Sequence, residues 1–152
     1  MRRLLIVALL FSFAATVEAG RHCIFRVHVA ANANDTDRFA QPVHSRTGRD
    51  VFVEKTPWLT EREVRAFCPF RAADGSYSAL LYLDDHGRTI LDTESVERRG
   101  SLLFVFINGR PLCELLVDRR VSDGKIYLPY GLSADDIKLM NKDWKLMGHQ
   151  KK

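Results

Sequence analysis

The residues of this chain with the widest chemical repertoire are its three cysteines and five histidines. His22, Cys23 and His28 lie close together, and His44 follows in the next polar segment. Imidazole nitrogens and a thiolate are ligands that zinc prefers. However, apolar and polar residues alternate from Cys23 to Val29, which predicts a strand with Cys23 on the face opposite to both flanking histidines. We therefore expect no metal site here.

Asp84, Asp85 and His86 form a second group that could transfer protons. The same residues precede Gly87 at a strand-to-helix turn, where Asp and Gly are favoured for conformational reasons. No cysteine or histidine lies in a local signature of a nucleophile, and the sequence has no P-loop and no G-x-S-x-G motif. We predict no catalytic residue and no cofactor. A small secreted hydrolase with a Cys/His or Asp/His pair remains an alternative.

The N-terminal residues have the composition of a secretory signal peptide. Arg2 and Arg3 precede an apolar run from Leu4 to Val17, and small residues at Val17 and Ala19 predict cleavage after Ala19. The run is short for a transmembrane helix, although a retained anchor is the alternative. We expect a periplasmic or secreted product without a transmembrane segment after cleavage.

An exported chain meets an oxidising compartment, so one disulfide is expected among Cys23, Cys68 and Cys113. Three pairings are possible, and the sequence does not choose between them. The remaining thiol would be buried or would pair with another molecule.

Hydrophobic periodicity and turn residues divide the rest of the chain into strands and helices. The predicted strands are Cys23 to Val29, Val51 to Glu54, Tyr77 to Leu83, Leu102 to Ile107, a partner strand after Asn108-Gly109, and Lys125 to Tyr130. The predicted helices begin after Thr60, span Arg88 to Arg99, and begin after Ser133. Thr60 with Glu63, and Ser133 with Asp136, have the spacing of a capping box. Pro69 would end the first helix.

The sequence also predicts a β-hairpin and a long polar loop. Asn108-Gly109 suits a type I′ turn, and the hairpin from Ser101 to Val117 is expected to be the central pair of its sheet. The segment from Ala31 to Arg49 is rich in Asn, Asp, Ser and Thr and is predicted to be a long polar loop.

The predicted fold class is α+β, a single mainly antiparallel sheet with about three helices packed on one side.

Charge indicates little about partners. The formal net charge is +4, a mild excess that gives no reason to expect nucleic acid binding. Two exposed basic pairs, Arg98-Arg99 and Arg119-Arg120, form a candidate contact surface for an acidic partner. Solvated surface charge is the simpler interpretation of both pairs.

The stretch from Leu83 to Asn141 resembles the head subdomain of the periplasmic region of SecD and SecDF, accessory subunits of the Sec protein-export machinery. The resemblance lies in "LDDHG" at 83–87, Thr93, Gly100, "LLFVFING" at 102–109 and "GKIYLPYGLSADDI" at 124–137. The segment from Val51 to Phe67 is similar to the elements that precede this unit. The chain departs from the family in lacking transmembrane helices after its signal and in having Cys113 and Glu114 where a proline is usual.

The resemblance implies residues 51–152 as a SecD-head-like domain, forming one globular unit with the strand and loop of residues 20–50. It also implies a non-enzymatic module that contacts polypeptide or an envelope protein, at a sheet edge or in a groove beside it. It does not imply proton-driven translocation, which needs the membrane part. An extracytoplasmic inhibitor or adhesion domain, contacting its partner through the loop from Ala31 to Arg49, is a further alternative.

Overall fold

The computed structural model describes residues 20–32, 34, 38–45 and 47–148. The predicted signal peptide, residues 1–19, lies outside the described residues. Within them the strands are β1 (Phe25–Val29), β2 (Ala40–His44), β3 (Asp50–Glu54), β4 (Leu59–Thr60), β5 (Val64–Arg71), β6 (Tyr77–Leu83), β7 (Leu102–Ile107), β8 (Arg110–Leu116), β9 (Lys125–Leu132) and β10 (Lys145–Leu146). The helices are α1 (Asp85–Glu97), α2 (Ala134–Asp143) and one 3₁₀ turn (Glu61–Glu63).

The strands form three sheets. The first has the order β4-β1-β7-β8, the second β10-β5-β6-β9, and the third is the β2–β3 ribbon. All neighbours are antiparallel except β10 and β5. The predicted single sheet with three helices is therefore wrong: the described residues form three sheets and two α-helices. The two larger sheets contribute residues to one core cluster, so much of the apolar surface of each is covered by the other sheet and not by helices alone.

One core joins the two larger sheets. It contains Phe25, Val105 and Leu112 of the first sheet and Phe67 and Leu81 of the second, all 0% exposed. The helices contribute to the same cluster through Leu91, Met140 and the adjacent Trp144. Trp144 lies edge-on to the rings of Phe25 and Phe67, with centroids 6.4 and 6.3 Å away. The core thus lies between the sheets, with both helices packed into it.

The prediction of a helix after Thr60 is wrong, although the helix start that the sequence indicated does form. The capping box forms, because Glu63 Oε2 accepts from Thr60 N at 2.7 Å and the Thr60 side chain accepts from the following turn. The helix ends after that single 3₁₀ turn, and the chain continues as β5. Val64, Ala66 and Cys68 are buried in this strand, so pairing with β6 outweighs a local start signal. Pro69 lies within the strand, beyond the two residues that pair with β10, where its missing N–H breaks no ladder.

Two further expectations need correction. The segment from Ala31 to Arg49 contains β2, which pairs with β3, so it is not a loop throughout. The hairpin turn is confirmed, with φ of 51° at Asn108 and 80° at Gly109. Its first strand, β7, lies inside the first sheet, whereas β8 is an edge strand and not half of a central pair.

The other two predicted helices are present, although α1 spans Asp85–Glu97 and not Arg88 to Arg99. Asp84 caps α1, and Ser133 with Asp136 forms the capping box of α2. No helix in the described part of the chain is both long enough and apolar enough to cross a membrane.

Candidate functional site

A substantial concavity lies between β8 and β9, which are edge strands of the two larger sheets. Near one end the strands approach each other, and Arg110 of β8 donates to Gly131 O of β9 at 3.1 Å. Near the other end they are joined by residues 117–124 and enclose a cavity of about 670 Å³. We call this cavity the β8–β9 groove. Each of its bounding strands has a described ladder on one side, β8 with β7 and β9 with β6.

The walls of the groove are largely apolar. Trp58, Leu91, Leu103, Leu115 and Ile126 are among the residues that line it. Leu116 of β8 and Tyr127 of β9 also line the groove and are 62% and 54% exposed. Large apolar side chains so open to water at the mouth of an apolar cavity are typical of a contact surface.

Helix α1 holds the segment that closes one side of the groove. Arg120 donates to both carboxylate oxygens of Asp92, at 2.5 and 2.8 Å. Val121 N donates to the buried Ser95 Oγ at 2.9 Å. The hydrogen bond from Arg120, together with its positive charge, lowers the pKa of Asp92. Asp92 and Ser95, two residues of α1, therefore hold the segment of residues 117–124 in place.

A glycine is required at the end of this segment. Gly124 has φ of 67°, in the left-handed region that glycine adopts without penalty. A Cβ there would lie 3.0 Å from Arg88 Cβ, and the same Arg88 donates through Nε to Ser122 O at 2.9 Å. Gly124 thus allows α1 and the start of β9 to approach closely.

The four arginines of the predicted contact surface are separated by the fold. Arg119 and Arg120 line the groove. Arg98 forms an ion pair with Glu54 of β3 at 3.1 Å, and Arg99 donates to the backbone oxygen of Asp118 at 3.0 Å. Arg120 is held by Asp92, whereas Arg119 has no ion pair or side-chain hydrogen bond within the described residues.

The histidines considered as metal ligands point to separate partners. His22 pairs with Asp143 at 2.9 Å, the buried His28 contacts Glu54 O at 2.7 Å, and His44 pairs with Asp50. Among the residues that the structure describes, no three His, Cys, Asp or Glu side chains are grouped to hold a metal ion.

The acidic group at the start of α1 has a structural task. Asp84 Oδ1 accepts from Gly87 N at 2.8 Å and so caps the helix. His86 is exposed, 3.9 Å from Glu63 Oε1. Asp84 is therefore committed to a backbone N–H, and His86 faces a different carboxylate from the one expected.

All three cysteines are buried thiols in the structure. Burial, reinforced by the negative charges of Asp136, Asp143 and Glu61, raises the pKa of Cys23 to about 12. A thiol with that pKa is almost fully protonated at neutral pH and is a poor nucleophile. The predicted disulfide remains a prediction.

Sequence reasoning predicted contacts at a sheet edge or in a groove beside it, but did not identify the strands or the residues that form the groove. Trp58 and Tyr127, which line it, had no marker beyond their apolar size in a polar neighbourhood. Which strands are edges depends on pairing between distant segments, so no local pattern could identify β8 and β9.

Fold and site together define a module of two larger sheets and a small ribbon, with helices packed against the shared core and a groove between two edge strands. No protein-family model and no curated protein matches the sequence. Solved structures do match. One, from work described as "Structure and function of a membrane component SecDF that enhances protein export", aligns with a TM-score of 0.57 and 14% identity over 83% of this chain. Another, "Crystal structure of SecDF in Super-membrane-facing form", aligns with a TM-score of 0.55 and 13% identity over 81% of this chain.

The chain is thus similar in fold to part of SecDF. The alignments cover 64% and 19% of the two SecDF chains, so this chain corresponds to less than two thirds of either. At this identity the similarity concerns the fold alone.

Proposed function

We propose that this protein is a non-enzymatic module that works outside the cytoplasm and holds a segment of polypeptide in the β8–β9 groove. The observation that carries the proposal is the position of an apolar cavity between two edge strands. The SecD-like fold supports it, because SecDF is described as a component that enhances protein export. The signal-like N-terminus supports export of this chain itself.

The mechanism combines two kinds of contact. An extended segment can form main-chain hydrogen bonds with a strand edge whatever its sequence, while its apolar side chains enter the cavity. Leu116 and Tyr127, at the mouth, would contact the segment first. Arg119 and Arg120 lie at the rim and would favour segments with acidic residues. Residues 20–50 act with the rest as one unit in this proposal, which the pairing of β1 with β7 supports.

Site-specific photocrosslinking tests the proposal. The probe is a reduced, carboxymethylated polypeptide that cannot fold, and the crosslinking residue replaces Leu116. Val96 of α1 is the matched control, because it is 55% exposed and apolar but does not line the groove. We expect crosslinks at position 116 that exceed those at 96 several-fold and are suppressed by excess unlabelled polypeptide. Equal yields at both positions would contradict the proposal.

A substitution pair gives a second test. Leu116→Asp places a charge at the mouth of the groove and is expected to weaken polypeptide binding at least tenfold, whereas Val96→Asp should leave it unchanged. Cell fractionation, with a reporter active only after export, tests the location. Recovery of the protein in the cytoplasm would refute that part of the proposal.

A further inference from the structure

The outer face of the second sheet has an unusual composition. Cross-strand register places Ala66, Cys68 and Phe70 of β5 beside Tyr82, Leu80 and Ser78 of β6. The same register places Lys125 and Tyr127 of β9 beside Tyr82 and Leu80, and Lys145 of β10 beside Ala66. We call this set the outer face. None of its members belongs to the core cluster, which takes Phe67, Ala79, Leu81, Ile126 and Leu128 from the opposite side of the same strands.

A sheet with one face on a core usually presents polar side chains on the other. Here the large side chains of the outer face are Phe70 and Tyr127, which are 37% and 54% exposed, and the half-buried Leu80 and Tyr82, whereas the smaller Ala66, Cys68 and Ser78 are buried. Surfaces of this kind mark interaction sites. The face is therefore built to contact something other than bulk water.

The charge of the sheet indicates what that partner is. Its four strands contain Arg65, Arg71, Lys125 and Lys145 and no Asp or Glu, although Arg71 pairs with Tyr77 on the core side of the sheet. Lys125 and Lys145 stand on opposite edge strands, in one row across Ala66 and Tyr82. Asp123, just before β9, is 3.9 Å from Lys125 Nζ and is itself exposed, which leaves the face with a positive balance. An anionic partner complements it.

The area of the outer face favours a lipid surface over a protein as its partner. The nine same-face positions of the outer face cover roughly 300 Å² at the usual strand spacing and rise. A stable protein interface needs about 800 Å² on each partner. A second copy is further disfavoured because lysines would meet lysines. A membrane surface fits the composition of the face, since tyrosines settle at the headgroup level and each lysine near an anionic leaflet adds attraction.

We propose that the outer face binds the surface of a membrane that contains anionic phospholipid. This proposal concerns a different surface from the groove. Leu80, Lys125 and Tyr127 lie where the two surfaces meet, whereas Lys145 and Phe70 belong to the outer face alone.

Vesicle co-sedimentation of the purified protein tests this inference. The probes are vesicles of phosphatidylcholine alone and of phosphatidylcholine with about one third phosphatidylglycerol. We expect at least tenfold stronger partitioning to the anionic vesicles, weakened by added salt because surface charges are screened. All variants share one N-terminus, so any contribution of the apolar run near it is common to them.

Charge-reversal variants locate the contact. Lys125→Glu/Lys145→Glu is expected to lower partitioning to anionic vesicles at least tenfold, and Phe70→Ser several-fold. The matched control is Arg49→Glu/Lys138→Glu, which changes the net charge equally at two exposed positions outside the face. It should retain most of the binding, and the groove variant Leu116→Asp should retain all of it. Near-ultraviolet circular dichroism verifies the fold of each variant.

Several results would overturn the inference. They are equal binding to both kinds of vesicle, equal loss in the face and control variants, or binding to a soluble acidic protein without binding to anionic vesicles. Loss of vesicle binding with intact polypeptide binding in Lys145→Glu would support two separate surfaces.

Discussion

Replacement of Asp136 by alanine is expected to destabilise the protein strongly, because this buried carboxylate joins the start of α2 to the β7–β8 hairpin. Its oxygens accept from Ser133 N and Asn108 Nδ2, each at 2.8 Å, and from the guanidinium of Arg110. Ser133 begins α2, whereas Asn108 and Arg110 belong to the β7–β8 hairpin. The substitution therefore removes a helix cap and the link between helix and hairpin together.

The magnitude follows from which donors lose their partner. Hydrogen bonds to a charged acceptor contribute about 1.5–3 kcal/mol each, and a lost cap costs about 1 kcal/mol. The Arg110 side chain is 43% exposed and can turn to water, so its ion pair counts little. We expect a loss of about 3 kcal/mol, which lowers the melting temperature by roughly 10 °C in a domain of this size.

The assay is urea denaturation followed by tryptophan fluorescence, with Asp135→Ala as the matched control. Asp135 is the preceding residue of α2, but its side chain is 85% exposed and pairs only with Lys138. Its replacement should change stability by less than about 0.5 kcal/mol. Equal destabilisation by the two substitutions would refute the argument that the network around Asp136 stabilises the fold.

The stability difference between the parent protein and Asp136→Ala is expected to depend on pH. Burial alone would raise the pKa of Asp136, but hydrogen bonds from Ser133 and Asn108 and the charge of Arg110 outweigh it and lower the pKa. A lowered folded-state pKa means that the carboxylate stabilises the fold fully above its unfolded pKa of about 4 and loses that effect as pH falls through the folded value. The stability gap between the parent protein and Asp136→Ala should therefore be constant near neutrality and shrink below about pH 4. A gap that stays undiminished at pH 2 would contradict this.

Three further predictions concern the groove and the core. Ser95→Ala removes the acceptor of Val121 N and should cost about 1 kcal/mol, with faster hydrogen exchange at the Val121 amide; unchanged exchange would show that the bond is not needed. Gly124→Ala places a side chain in left-handed backbone and close to Arg88, so it should lower the free energy of unfolding by about 1–3 kcal/mol in thermal denaturation. An unchanged melting temperature would refute this argument from strain. Cys23, with its pKa of about 12, should resist iodoacetamide at pH 8 in the folded protein and react once unfolded, as read by peptide mass spectrometry.

Local chemistry in the sequence determined the starts and turns of this fold. The Asn108-Gly109 turn, the caps at Asp84 and Ser133, and the strand from Tyr77 to Leu83 all depend on residues within a few positions of one another. Such signals are short-ranged because they consist of backbone hydrogen bonds and dihedral preferences. The resemblance to the SecD head that the sequence predicted was based on the same turns and caps.

The tertiary structure decided how far each element runs and which neighbours it has. The capping box at Thr60 formed as predicted, yet the chain beyond it became β5 because Val64 to Cys68 gain more from pairing and burial than from a helix. The partition into two sheets made β8 and β9 edge strands and so created the groove between them. An edge is defined by the absence of a neighbour, and neighbours distant in sequence are chosen by the packing of the whole core. For that reason the candidate site could be identified only from the folded structure, although the sequence contains all of its residues.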